Sequence, residues 1–163
     1  MDTGRDFLRA QVNNAVALHH TVIDELESHA KQADEAAYRD LCLRWVPRMQ
    51  EHQRKLNAYA ASIGADGSGG VKKAIGNVLG KAREAVDALR EDDFLRIVGD
   101  TVMARQLQDT FETFAVAGAR IGDQQLADIG KMCAREHDEM QREFNALTRE
   151  MFVDHVNGVV ATD

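Results

Sequence analysis

Apolar side chains recur at three- and four-residue steps through four long stretches of this chain, which is the pattern of helices with one buried face. The first, from about residue 5 to 33, carries Leu8, Val12, Ala15, Val16, Val22, Ile23, Leu26 and Ala30. The second, about 35 to 63, carries Cys42, Trp45, Val46, Met49, Leu56, Ala60 and Ile63. The third, about 93 to 120, runs Phe94, Ile97, Thr101, Ala104, Leu107, Phe111, Ala115 and Gly118, and the fourth, about 123 to 154, runs Leu126, Ile129, Cys133, Met140, Phe144, Leu147 and Met151. Strand-like alternation is absent, so the expected fold class is all-α: a four-helix bundle.

The residues between the stripes set the order. Asp34 offers an N-cap for the second helix, Asp92 and Asp93 one for the third, and Asp123 one for the fourth. Gly64 and Gly122 suit left-handed C-terminal caps. Pro47 lies inside the second helix and predicts a kink, because the apolar period continues across it. Between helices two and three come a glycine-rich linker, Gly64 to Gly70, and a shorter amphipathic stretch, about 71 to 90, with Gly76 and Gly80 one turn apart. A partly helical crossover is therefore expected there, and residues 1 to 163 read as one domain.

Polar residues in core slots carry the chemistry, because a buried imidazole or charge costs several kcal/mol, on the order of the transfer penalty, unless it is paired or metal-bound. His19 stands in line with Val12, Ala15, Val22 and Leu26, and His52 in line with Trp45, Met49 and Leu56. On helix four, either Glu136 or His137 fills the slot between Cys133 and Met140, and on helix three Gln108 and Glu112 edge the stripe. At about 1.5 Å rise per residue these positions share one level of an antiparallel bundle. Imidazole with carboxylate suits zinc, iron or nickel, so His19, His52, Glu112, Glu136 and His137 form the candidate metal set. The same histidines also read as core imidazoles hydrogen-bonded to Gln108, Glu136 or a buried water. Glu25, Glu27, His29 and Lys31 read as a solvated helical face.

Composition narrows the setting. With 27 acidic against 20 basic side chains, a duplex-binding surface is not expected, so no nucleic-acid partner is assigned. The N-terminal residues lack the apolar core of a secretory signal, and no 18-residue apolar run indicates a membrane span. Cys42 and Cys133 lack C-x-x-C spacing and read as buried thiols, and a soluble cytoplasmic protein is expected. No nucleophile elbow, Cys-His dyad pattern or phosphate loop supports a hydrolase or transferase.

Helix order, crossover and the segments Met49-Gln50-Glu51-His52-Gln53 and Ala134-Arg135-Glu136-His137-Asp138-Glu139 together resemble the ferritin-like superfamily. The likeness is to the small bacterial proteins related to rubrerythrin, with an extra helix between their second and third long helices. It covers the chain to about Met151. What it implies is a di-iron site built from carboxylates of helices one and three and Glu-x-x-His pairs of helices two and four. His52 and His137 match the histidines of those pairs, but Met49 and Ala134 stand where the bridging glutamates belong. Helix three offers Gln108, with Glu112 one turn on, and helix one offers His19, or Glu25 and Glu27 further along. Two function classes follow: a structural or interaction protein whose metal centre has decayed, or a metal protein whose non-standard His/Glu site binds iron or another divalent metal for oxidation or peroxide chemistry. The resemblance further implies a homodimer and a role in stress responses.

Overall fold

Capping side chains and left-handed glycines mark several of the helix ends, where backbone groups would otherwise be unpaired. The computed structural model describes residues 3–65 and 92–160. Among them are four helices and no strand: α1 (Thr3–Gln32), α2 (Ala36–Ser62), α3 (Asp93–Ile121) and α4 (Gln124–Val160). The expected linker beyond Ala65 and the short helix at 71–90 lie outside the described residues. No helix among those described is long and apolar enough to cross a membrane.

Most of the expected caps are present. Asp92 accepts from the Phe94 N–H at 2.8 Å, and Asp123 accepts from the Leu126 N–H at 2.9 Å. Gly64 and Gly122 adopt φ of 69° and 75°, the left-handed conformation glycine takes without penalty. The α2 start differs from expectation. Its N-cap is Glu35, not Asp34, without a side-chain cap, and Asp93 of α3 accepts the Glu35 N–H at 2.8 Å. The first residue of α3 thus ties down the start of α2. Helix α2 continues through Pro47, where the missing N–H concerns the exposed Pro47 and Leu43 side of the helix. Helix α4 remains helical to Val160, past the expected end, although residues 152–158 are exposed.

Cross-helix contacts fix the topology. His29 near the end of α1 meets Asp100 near the start of α3, and Trp45, Arg48, His52 and Tyr59 of α2 meet, in reverse order, Glu143, Glu139 and Glu136 of α4 and Asp123 just before it. Every neighbouring pair is therefore antiparallel, α2 and α3 run in the same direction across the diagonal, and Ala65 and Asp92 lie at opposite ends of the bundle. The helices pack most extensively as two hairpins, α1 with α2 and α3 with α4.

The second hairpin is closed by glycine. A Cβ on Gly118 would meet the backbone N of Ala127, and one on Gly130 would meet the backbone N of Ala115 and, at 2.7 Å, the Phe111 carbonyl. Backbones at that separation leave no room for a side chain. The core around this seam is apolar, with Val12, Leu26, Leu56, Ile97, Leu107, Phe111, Leu126 and Phe144 fully buried, and Trp45 nearly so. Cys42 and Cys133 are buried free thiols.

A polar network near the other end of the bundle corrects the reading of His29 as solvated. It is 4% exposed, and its Nδ1 donates to Asp100 Oδ2 at 3.0 Å, while the Tyr38 hydroxyl donates to the same oxygen at 2.6 Å. Desolvation and the Asp100 charge push the Tyr38 hydroxyl and the Cys42 thiol well above their ordinary values, so both stay protonated. Three helices are joined at one carboxylate.

Two stability predictions follow from these contacts. Gly130→Ala should destabilise the bundle by about 1–3 kcal/mol through overpacking, read as a lower urea midpoint, whereas alanine at the uncrowded Gly99 should not. Asp100→Ala should cost about 1–3 kcal/mol for each donor it strands, read in the same titration.

Candidate metal centre

Three histidines from three helices converge at mid-bundle. His19 of α1, His52 of α2 and His137 of α4 occupy stripe positions, and each is at most 1% exposed. Ring centroids are 6.0 Å apart for His19 and His52, 5.5 Å for His19 and His137, and 5.2 Å for His52 and His137. One ring nitrogen of each lies within 4.8 Å of the others, and among the described residues no other such group of ligand side chains forms. Imidazole nitrogens about 2.0–2.1 Å from a common ion stand about 3.3–3.5 Å apart, so an ion would draw these rings together. Phe111 of α3 closes the triangle, with its ring 5.8 Å from His19 and 5.2 Å from His137.

Each imidazole is anchored on its outer side by an acceptor. His137 Nδ1 donates to the Cys133 carbonyl at 2.7 Å, one helical turn back. His52 Nε2 donates to Glu136 Oε2 at 3.0 Å across the α2–α4 seam. His19 Nδ1 donates to Gln53 Oε1 at 2.8 Å. The amide of Gln53 is oriented in turn, because its Nε2 donates to the Val16 carbonyl at 3.2 Å and to Asn57 Oδ1 at 3.0 Å, turning the oxygen toward His19.

These outer bonds decide which nitrogen carries the proton. Since carbonyl and carboxylate oxygens only accept, the outer nitrogen of each ring is N–H and the inner one holds a bare lone pair. The inner atoms are His19 Nε2, His52 Nδ1 and His137 Nε2, all buried and all without a protein partner. Outer acceptors that fix tautomer and ring orientation are the usual surroundings of metal-ligating histidine.

Electrostatics keep the rings neutral. Burial lowers His19 to about 4 and His137 to about 3, and the neighbouring histidines add to the effect in both. Burial also lowers His52, partly opposed by the charge and hydrogen bond of Glu136. Cys133, one turn before His137, is pushed up to about 12 by burial and stays a thiol.

The structure separates the five residues named from sequence. His19, His52 and His137 are brought together. Between Glu136 and His137, it is the histidine that enters the core, and Glu136 sits half-buried at the seam, touching the cluster through the His52 N–H. Glu112 is exposed: it accepts from Gln108 Nε2 at 3.0 Å and lines a surface groove with Asp109, Thr113 and Val116, so it is not in the cluster. The reason is helical geometry, for Glu112 follows Phe111 by about 100° of rotation and Phe111 holds the core position. Gln53 was not singled out from the sequence, though its place directly after His52, beside the α1 seam, was a usable signal.

The lowered histidines make stability depend on pH. In the unfolded chain they titrate near 6.5, so below that pH the unfolded chain binds protons that the folded chain refuses. Their stabilisation is fully present above about 6.5 and is lost as pH falls, down to about 4 for His19 and about 3 for His137. Thermal unfolding followed by circular dichroism should show Tm falling between pH 7 and pH 4.5, more shallowly in His19→Gln than in the parent.

No protein-family model, curated protein or solved structure matches this chain.

Proposed function

We propose that this protein is a ferritin-like helical bundle that binds one transition-metal ion between His19, His52 and His137. The observation that carries the reading is the convergence of three bare, buried nitrogens in one place. A buried water would leave this arrangement incomplete, because water donates two hydrogen bonds and three acceptors face inward. A cation accepts all three lone pairs. Two hairpins with parallel second and third helices, joined between opposite ends, support the ferritin-like assignment.

The residues do not fit a di-iron centre. Two cations about 3.5–4 Å apart need bridging carboxylates, and the corresponding slots hold Met49 and Ala134, both buried. Three neutral imidazoles with Glu136 behind one of them form a site for a single ion. With the resemblance we also place the protein in the cytoplasm as a homodimer.

The reading is tested by elemental analysis of untagged protein. About one metal ion per chain is expected, and its loss in a folded His52→Ala/His137→Ala variant locates it. Less than about 0.1 ion per chain after growth with added iron, zinc and copper would make the triangle a structural polar cluster and favour the decayed-centre reading.

A further inference from the structure

The donor set of the triangle says more about the ion than that one binds. All three donors are neutral, and the carboxylate nearest to them, Glu136, is held outside by the His52 N–H. Within the described residues no carboxylate or cysteine sulfur joins the group. The three histidines are almost completely buried, and the Phe111 ring walls the triangle.

Three consequences bear on the choice of ion. Self-energy in a low-dielectric interior rises with the square of the charge, so a divalent ion pays about four times the desolvation cost of a monovalent ion of the same size. A buried divalent ion in this set would also keep a net positive charge after Glu136 is counted, whereas a monovalent ion would be balanced. Zinc in closed sites takes four ligands, and among the described residues no fourth His, Cys, Asp or Glu joins the three. Three nitrogens are a complete shell for cuprous ion, which accepts trigonal coordination, while cupric ion favours tetragonal sites with more ligands.

Resting on the single-ion reading above, we infer that the triangle of His19, His52 and His137 is a cuprous-ion site that discriminates against zinc and ferrous ion. The protein thereby holds copper in its reduced state, out of contact with water. No redox step is required: the ion enters and remains as Cu(I), and only its hydration or carrier ligands are exchanged for three imidazoles.

The test is an anaerobic competition of the whole, untagged protein against a coloured Cu(I) chelator, with parallel titrations of Zn(II) and Fe(II) against their own indicators. Expected are one equivalent of Cu(I), an affinity at least about 100-fold above that for Zn(II), and loss of that equivalent in His52→Gln and in His19→Gln. Exposed His20→Gln should leave it unchanged, as should Cys42→Ser/Cys133→Ser, which removes the alternative soft ligands. X-ray absorption of the copper-loaded protein should show three nitrogen neighbours and no sulfur, which keeps the test decisive if a histidine variant fails to fold. Zinc or ferrous ion held as tightly as Cu(I), or sulfur in the copper shell, overturns the copper inference and leaves a metal site standing. Failure of all three ions to bind overturns both.

Discussion

A nitrogen removed from water must be given a partner, and this bundle meets that constraint on one side of each central histidine only. Outward hydrogen bonds to the Cys133 carbonyl, Glu136 and Gln53 consume one nitrogen per ring. The inner three are then left as lone pairs in an apolar interior, where protonation is disfavoured by burial and by one another. Had the outer partners been donors, the rings would have presented N–H groups inward and the same triangle would repel a cation. The second layer of hydrogen bonds therefore sets the sign of the site.

The same constraint is solved differently at the far end of the molecule. There Asp100 is completely buried, and His29 and Tyr38 both donate to it, so donors and acceptor face one another directly. One layer gathers two donors on Asp100 Oδ2 and joins α1, α2 and α3. The other is open at its centre and draws on α1, α2 and α4. Both are embedded in the core that the apolar stripes build, and the two together explain why polar residues occupy core slots in every helix.

Much of this is legible in the amino-acid sequence. Stripe periodicity located all four long helices, and Asp92, Gly64, Gly122 and Asp123 marked ends because capping is a local property of one or two residues. His19, His52 and His137 stood out by replacing apolar residues within stripes. What sequence could not supply was rotation and distance. One residue of helix rotation exchanges Glu136 with His137 and sets Glu112 outside, since each step turns the side chain by about 100°. His29 was hidden in a charged run whose other members do face outward or sideways. Asp100, three residues after Ile97 and four before Ala104, had the spacing of a core position, but its charge argued for solvent; only its partners from α1 and α2 reverse that argument. Asp34 is not the cap, and the N–H of the actual N-cap residue, Glu35, goes to Asp93, 58 residues away.

The hairpin architecture bears on how the centre behaves mechanically. His19 and His52 belong to the α1–α2 hairpin, while His137 belongs to the α3–α4 hairpin, whose own halves are locked backbone to backbone at Gly118 and Gly130. The triangle thus spans the two hairpins across their less extensive seams. An ion held at the proposed site would therefore be gripped from both hairpins at once, tying together the helix pairs that touch each other least.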